Sequence, residues 1–290
     1  MSGLVKVKTL KEGIVDAVSI LNGGQGYCIG DQILSNTRLK GHSFSAAVSG
    51  VNNTGNYIST PSHASVHLEA DDFCIEMWIN RTPTNKETII CSTKSVDSLS
   101  GWTLKINNKQ KLAFEIYGSV SYKVTSITSC QSDTWVHIAV SRSGNILRTF
   151  INGIKTSQDT IGNGTVSTLP LKIGIGHDEV DPFIGYISDF RITKYYPRYE
   201  SNFDIPNYKF DSSDTLFSNV YLLINFDNSN FIDSSLYSRP ITVNGSIFLS
   251  NSVIKIREAS GFFSGLGSIN KISILNHGYG YDNLPTFTIK

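Results

Sequence analysis

The feature that most constrains this chain is the two-residue alternation of its apolar positions, broken at short intervals by glycine and asparagine. In Phe73-Cys-Ile-Glu-Met-Trp-Ile-Asn80, residues Phe73, Ile75, Met77 and Ile79 fall on one side and Cys74, Glu76, Trp78 and Asn80 on the other. Successive side chains of a strand point to opposite faces, so this spacing predicts a strand with one face on a core. Residues 102–106 and 112–116 flank the polar turn Asn107-Asn-Lys-Gln-Lys111 and read as a hairpin. Residues 135–142 turn at Ser143-Gly-Asn145 into 146–151. Asn152-Gly153 then predicts a type I′ turn, because both positions tolerate positive φ. Residues 171–176 and 183–192 supply two more strands around the acidic loop His177-Asp-Glu-Val-Asp-Pro182. Only residues 195–201 read as a helical turn. The expected fold class is all-β, two sheets packed face to face as a sandwich or jelly roll.

At 290 residues and 40% hydrophobic content, the chain has material for a large core. A formal charge of +1 with 17% charged residues leaves no basic field, which argues against nucleic acid as a partner. Cys28, Cys74, Cys91 and Cys130 are spaced too widely for a zinc knuckle or a redox pair, so free, buried thiols compatible with a reducing cytosol are expected. No apolar run suits a secretory signal, and residues 220–226 are too few to cross a bilayer; a soluble protein with no membrane insertion is expected.

Five stretches carry a family resemblance: Gly55-Asn-Tyr-Ile-Ser-Thr-Pro61; Asp72-Phe-Cys-Ile-Glu-Met-Trp-Ile79; Thr134-Trp-Val-His-Ile-Ala-Val-Ser-Arg-Ser-Gly-Asn145; Phe150-Ile-Asn-Gly153; and residues 183–193 running on to Arg198-Tyr199. In this order they resemble the laminin-G-like, concanavalin A-like jelly-roll domain found repeatedly in bacteriophage virion proteins. The resemblance implies a jelly roll with its core at 41–206. Leu222-Leu-Ile-Asn-Phe-Asp227, Ile232-Asp-Ser-Ser235 and Thr242-Val-Asn-Gly245 look like strands of the same domain type, so residues 220–256 are expected to add edge strands, with 207–219 as a linker or surface strap and 252–256 as one more edge.

The chain opens and closes on one phrase. Ile14-Val-Asp-Ala-Val-Ser-Ile-Leu-Asn-Gly-Gly-Gln-Gly-Tyr27 returns as Ser268-Ile-Asn-Lys-Ile-Ser-Ile-Leu-Asn-His-Gly-Tyr-Gly-Tyr281. Each is a strand running into glycines that permit a tight bend. The pattern resembles a glycine-tyrosine motif of phage structural proteins. Small β units at 1–40 and 259–290 are therefore expected on either side of a 41–258 sandwich, paired with each other as its base or docked on a neighbouring subunit. A Gly-x-Gly phosphate site is not expected, because no helix follows either copy.

Candidate sites are few. Concanavalin-like glycosidases need two carboxylates about 5 Å apart, and no strand alternates acidic residues; Glu76 and Glu115 each stand alone in a strand, and His137 reads as a packed structural histidine. Asp178, Glu179 and Asp181 gather hard oxygen ligands in one loop, and many laminin-G-like domains bind calcium at a sandwich rim, so the resemblance implies a possible calcium site there. Tyr195, Tyr196, Arg198 and Tyr199, with Trp102 at the start of a strand after Ser100-Gly101, form the candidate carbohydrate-binding set. The alternative is that the tyrosine run covers the sandwich end or forms a subunit interface, with Trp78 and Trp135 in the core.

By resemblance, the first expectation is a non-enzymatic virion component, a fibre, decoration or adhesin-like subunit assembled in the host cytoplasm with other virion proteins as a homo-oligomer, guessed to be a trimer. The alternative is a lectin module that binds a host-surface glycan. A polysaccharide-cleaving enzyme using Glu76 or Glu115 ranks third.

Overall fold

The computed structural model describes residues 56–206, 210–226, 231–245 and 247 in full, and elsewhere the backbone of the strands named below. The chain forms two compact units, one of Ser45–Ile205 with Phe210–Ser250 and one of Met1–Phe44, Pro206–Lys209 and Asn251–Lys290. It opens with β1 (Leu4–Lys11), β2 (Ile14–Asn22) and β3 (Gln32–Ser35). The larger unit then runs through β4 (Ser45–Val48), β5 (Tyr57–Thr60), β6 (Phe73–Arg81), β7 (Thr88–Ser92), β8 (Trp102–Ile106), β9 (Lys111–Ile116) and β10 (Tyr122–Ser129). It continues with β11 (Val136–Ser143), β12 (Ile146–Ile151), β13 (Ile154–Thr160), β14 (Leu171–Ile173), β15 (Gly185–Lys194), β16 (Val220–Ile224), β17 (Thr242–Asn244) and β18 (Phe248–Ser250). The last three strands are β19 (Ser260–Phe263), β20 (Ile272–Asn276) and β21 (Phe287–Ile289).

Two antiparallel sheets make the sandwich. The seven-stranded sheet has the order β10-β9-β8-β7-β14-β5-β17, and the eight-stranded sheet has β13-β12-β11-β6-β15-β4-β18 with β16 also on β15. The alternating residues meet between them: Phe73, Ile75, Met77 and Ile79 of β6 share one core with Trp102, Leu104 and Ile106 of β8 and Leu112, Phe114 and Ile116 of β9. The Phe73 and Phe114 rings approach to 5.5 Å. Burial of this apolar area is the main force holding the layers together. Ile106 pairs with Leu112 across the expected hairpin. At the next turn Asn152 and Gly153 take φ of 49° and 76°, and a Cβ on Gly153 would lie 2.1 Å from the Phe203 carbonyl oxygen, so glycine is required there.

β15 does not keep strict alternation. In β15 the core residues are Ile187, Phe190 and Ile192, and the register against β6 slips between Ser188 and Arg191, where Asp189 takes φ of 52°. This bulge resets the parity, so Phe190 and Ile192 enter the core while Arg191 faces outward. β16 pairs with the second half of β15, Phe190 to Thr193, while β4 pairs with its first half. β17 joins the opposite sheet through β5.

Residues 195–201 form no helical turn, contrary to expectation. Tyr195 takes φ of 60°, which ends β15, and the chain crosses the eight-stranded sheet as an irregular strap tied by Tyr195 N–H to Asp72 C=O (2.7 Å) and Phe203 N–H to Gly153 C=O (2.9 Å). The only helix among the described residues is a 3₁₀ turn, Phe217–Asn219. Cys74, Cys91 and Cys130 are free and buried. Cys28, both glycine bends and residues 252–256 lie outside the described residues.

In the smaller unit β1 and β2 form a hairpin, and β20-β19-β3-β21 form a four-stranded sheet that draws strands from both ends of the chain.

Candidate functional site

The outer face of the eight-stranded sheet is closed. Glu76 on β6 is fully buried opposite Arg191 on β15, its registered cross-strand partner. Arg191 Nη2 and Nε donate to Glu76 Oε1 at 2.7 and 3.0 Å, Tyr199 Oη donates to Oε2 at 2.9 Å, and His137 Nε2 lies 3.3 Å from Oε2. Burial alone would raise the Glu76 pKa, but the Arg191 guanidinium, with His137 and Arg198, holds it well below the usual carboxylate range. Burial and the Glu76 carboxylate push the Tyr199 phenol upward. Asp214 accepts from Arg191 Nη1 (2.8 Å) and Arg198 Nη2 (2.6 Å), and Phe210 lies 3.5 Å from the Arg191 guanidinium. The segment expected to be a linker or a surface strap thus acts as a strap and supplies the second carboxylate of this network. Tyr199 stacks on Phe203 at 3.5 Å, sealing the face.

The outer face of the seven-stranded sheet is open and polar. A cleft of about 740 Å³ is bordered by Lys86, Glu87, Asn107, Lys109, Lys123 and Asp181, among others. Lys105 bridges Glu87 (2.9 Å) and Glu115 (3.0 Å), and Lys123 adds 2.8 Å to Glu115. Although burial would raise it, the Glu115 pKa is brought down to about 2 by Lys123, Tyr117 and Lys105. A glycosidase acid needs the opposite shift, so Glu115 is unsuited to that role, and Glu76 is out of reach of any polymer.

The remaining aromatic surface lies at the rim where β15 ends and β16 begins. The left-handed Tyr195 turns its ring outward, 54% exposed, with Tyr196 beside it at 46%. Tyr221 of β16 meets Tyr195 edge to face at 5.6 Å and stacks on Tyr237 at 4.4 Å. Buried Asp233 places Tyr237: Oδ1 accepts from the amides of Leu223 and Ser235, and Oδ2 accepts from Ser235 Oγ and the Arg239 amide, fixing the loop against β16. The Arg239 guanidinium sits 5.1 Å over Tyr237, and its Nε donates to Ser65 Oγ at 3.1 Å. Beneath the row, Lys194 Nζ is anchored by Asp71 (2.9 Å) and the Ala64 carbonyl (2.5 Å), 5.1 Å from the Tyr195 ring centroid. The hydrogen bond with Tyr237, with burial, pushes the Tyr221 pKa up to about 12. The result is a rigid aromatic row with hydroxyls and a guanidinium along it, a surface able to stack on the C–H face of a sugar and bond its hydroxyls.

The candidate set from the sequence is therefore split. Tyr195 and Tyr196 are at the surface. Arg198 and Tyr199 turn inward to Asp214 and Glu76, so they cover the sheet and cannot reach a ligand. Trp102 is a correction: it is fully buried, stacked on Phe114 at 5.7 Å, with Nε1 donating to the Val66 carbonyl at 2.8 Å, because the β8 alternation points it inward. Two of the three carboxylates of the expected calcium loop have partners within the protein. Glu179 turns to Lys172 (3.2 Å), Asp178 Oδ1 accepts the Val180 amide, and no three metal-ligating side chains converge among the described residues. Tyr221, Tyr237 and Arg239 were missed because each lies outside the aromatic run; the Asx-turn signal of Asp233-Ser-Ser235 was the visible clue.

Residues 52–197 match the family described as the concanavalin A-like lectin/glucanases superfamily. No curated protein matches the chain. Among solved structures, a candidate carbohydrate-binding protein from Bacteroides ovatus is 17% identical with a TM-score of 0.50, over 83% of this chain and 61% of the other, so this chain spans less than two thirds of that protein. The CBM40 of a Ruminococcus gnavus IT-sialidase is 13% identical (TM-score 0.40, 46% and 80% covered). Domain 4 of AbnA, a GH43 extracellular arabinanase from Geobacillus stearothermophilus, solved with arabinotriose, is 17% identical (TM-score 0.40, 57% and 83% covered). At 17% identity and a TM-score of 0.50, the likeness to the Bacteroides ovatus protein is one of fold alone.

Proposed function

The chain belongs to the concanavalin A-like lectin/glucanases superfamily, and from that premise we propose that it is a carbohydrate-binding module whose glycan lies on the Tyr195–Tyr221–Tyr237 rim. The observation that carries the reading is the contiguous row itself, with ring contacts of 5.6 and 4.4 Å and more than half of the Tyr195 side chain in solvent. Row geometry suits an extended oligosaccharide, each pyranose presenting its axial C–H groups to a ring while Arg239 and the phenols bond its hydroxyls. Non-catalytic binding fits the two glutamates, one sealed and one held ionised.

The test is a glycan array followed by titration of the best oligosaccharide with and without calcium. Binding that is calcium-independent and weakened about tenfold by Tyr195→Ala, about 1.4 kcal/mol, supports the reading. No glycan bound under either condition, or binding untouched by Tyr195→Ala and Tyr237→Ala, rejects it. Display on a phage particle, as a fibre or decoration subunit, is the second reading; the glycine-tyrosine repeats at both ends favour it, and cross-linking within purified particles would test it.

A further inference from the structure

The smaller unit carries a symmetry that its sequence repeat only hints at. The first hairpin pairs Leu4 with Asn22, then slips, then pairs Val5 with Ile20, Lys6 with Ser19 and Val7 with Val18. The second pairs Ser260 with Asn276, slips at the same rung, then pairs Gly261 with Ile274, Phe262 with Ser273 and Phe263 with Ile272. Aligned on Asn22 and Asn276, each of the four rungs of the second hairpin has its counterpart in the first, the shared irregularity included, and the first hairpin then continues through Thr9↔Ala17, Leu10↔Val15 and Lys11↔Ile14. The third strands are equivalent too: Ile33 and Phe287 each follow the motif tyrosine, Tyr27 or Tyr281, by six residues. These strands pair antiparallel as Ile33↔Ile289, Leu34↔Thr288 and Ser35↔Phe287. Leu34 therefore faces its own equivalent, Thr288, which is what a twofold axis through that rung produces. The same axis requires each third strand to lie beside the other copy's first strand. β3 pairs with β19 through Leu34↔Ser260, Ile33↔Gly261 and Gln32↔Phe262, and β21 neighbours β1.

We propose that this unit is an exchangeable assembly joint whose partner is a second copy of the same chain. Each copy is a hairpin plus one further strand, and the two copies, separated by the whole sandwich sequence, are joined by the backbone ladders of β3 with β19 and β21. The β21 of a second chain presents β3 with the same register as the chain's own β21, so exchange forms the same ladders and changes only which chain supplies them. Two chains swapping C-terminal copies make a dimer with the two sandwiches on one shared pair of joints. Because the tethered copy acts at a finite effective concentration, exchange becomes substantial as the chain concentration nears that value.

The experiment uses the full chain carrying Cys28→Ser, Leu34→Cys and Thr288→Cys, with isotope-light and isotope-heavy preparations mixed, oxidised, and mapped by mass spectrometry. A 34–288 disulfide within one chain at ~10 µM, giving way to light–heavy 34–288 dimers at roughly 1 mM, is the expected result. Disulfides confined to single chains at every concentration overturn the exchange. Absence of any 34–288 disulfide, in chains whose tryptophan fluorescence shows the sandwich folded, overturns the symmetric pairing itself. Should that variant fail to fold, Ile33→Cys with Ile289→Cys, the adjacent rung, is read in the same way.

Discussion

Tyr195 and Trp102 show how the value of an aromatic residue is set by the backbone beneath it. Both stand at strand ends, but Trp102 keeps the inward parity of β8, whereas the left-handed φ of Tyr195 turns its ring out of β15. Tyr195→Ala is expected to weaken glycan binding with little change in melting temperature, while Trp102→Ala costs about 3–5 kcal/mol of stability by denaturant melts. In the sealed network, Arg191→Met strands the Glu76 charge and should cost about 3–5 kcal/mol, with much of the loss recovered when Glu76→Gln is added. Glu69 gives the pH dependence. It is 1% exposed, and burial raises its pKa from 4.5 to about 7 against the weaker opposing pull of nearby backbone amides and Lys194. The fold thus binds a proton that the unfolded chain releases near pH 4.5, so this contribution is complete below that pH and is lost as pH rises through about 7. Urea melts should show up to about 3 kcal/mol lost across that window, and Glu69→Gln should flatten the profile and be the more stable protein at pH 8. Sequence reading found the buried histidine and the solitary glutamates but not their partners, since Glu76 and Arg191 are joined by register and not by spacing.

Strands and tight turns were legible because their chemistry is local. The alternation of β6, β8 and β9 and the Asn152-Gly153 turn need only neighbouring residues to specify them. Asn152→Ala should therefore cost about 1 kcal/mol more than Asn152→Gly, since alanine resists φ of 49° and both lose the bond from the His137 amide to Asn152 Oδ1. Chemical denaturation of the two variants decides this. The β15 bulge was not legible: its irregular core positions follow from its register against β6, which slips between Ser188 and Arg191, a tertiary matter. For residues 207–219 the polar composition left linker and surface strap open; the contacts of Phe210 and Asp214 with Arg191, on a strand far away in sequence, make the described part a strap.

At the scale of the molecule, the sequence indicated layered sheets flanked by repeats but not which strands neighbour which, because the order of a sheet depends on long-range closure. The fold, with one outer face sealed and the other neutralised by lysines, leaves the tyrosine rim as the surface on which recognition is argued. Two compact units predict more than one unfolding transition in scanning calorimetry; one sharp transition with equal van't Hoff and calorimetric enthalpies would show them to be coupled. The most direct measurement is a crystal structure with an oligosaccharide selected from the array. A sugar ring stacked on Tyr195 or Tyr237, with a hydroxyl bonded by Arg239, is the predicted result; a sugar lodged in the cleft between Lys109 and Lys123, with the rim bare, would contradict the account.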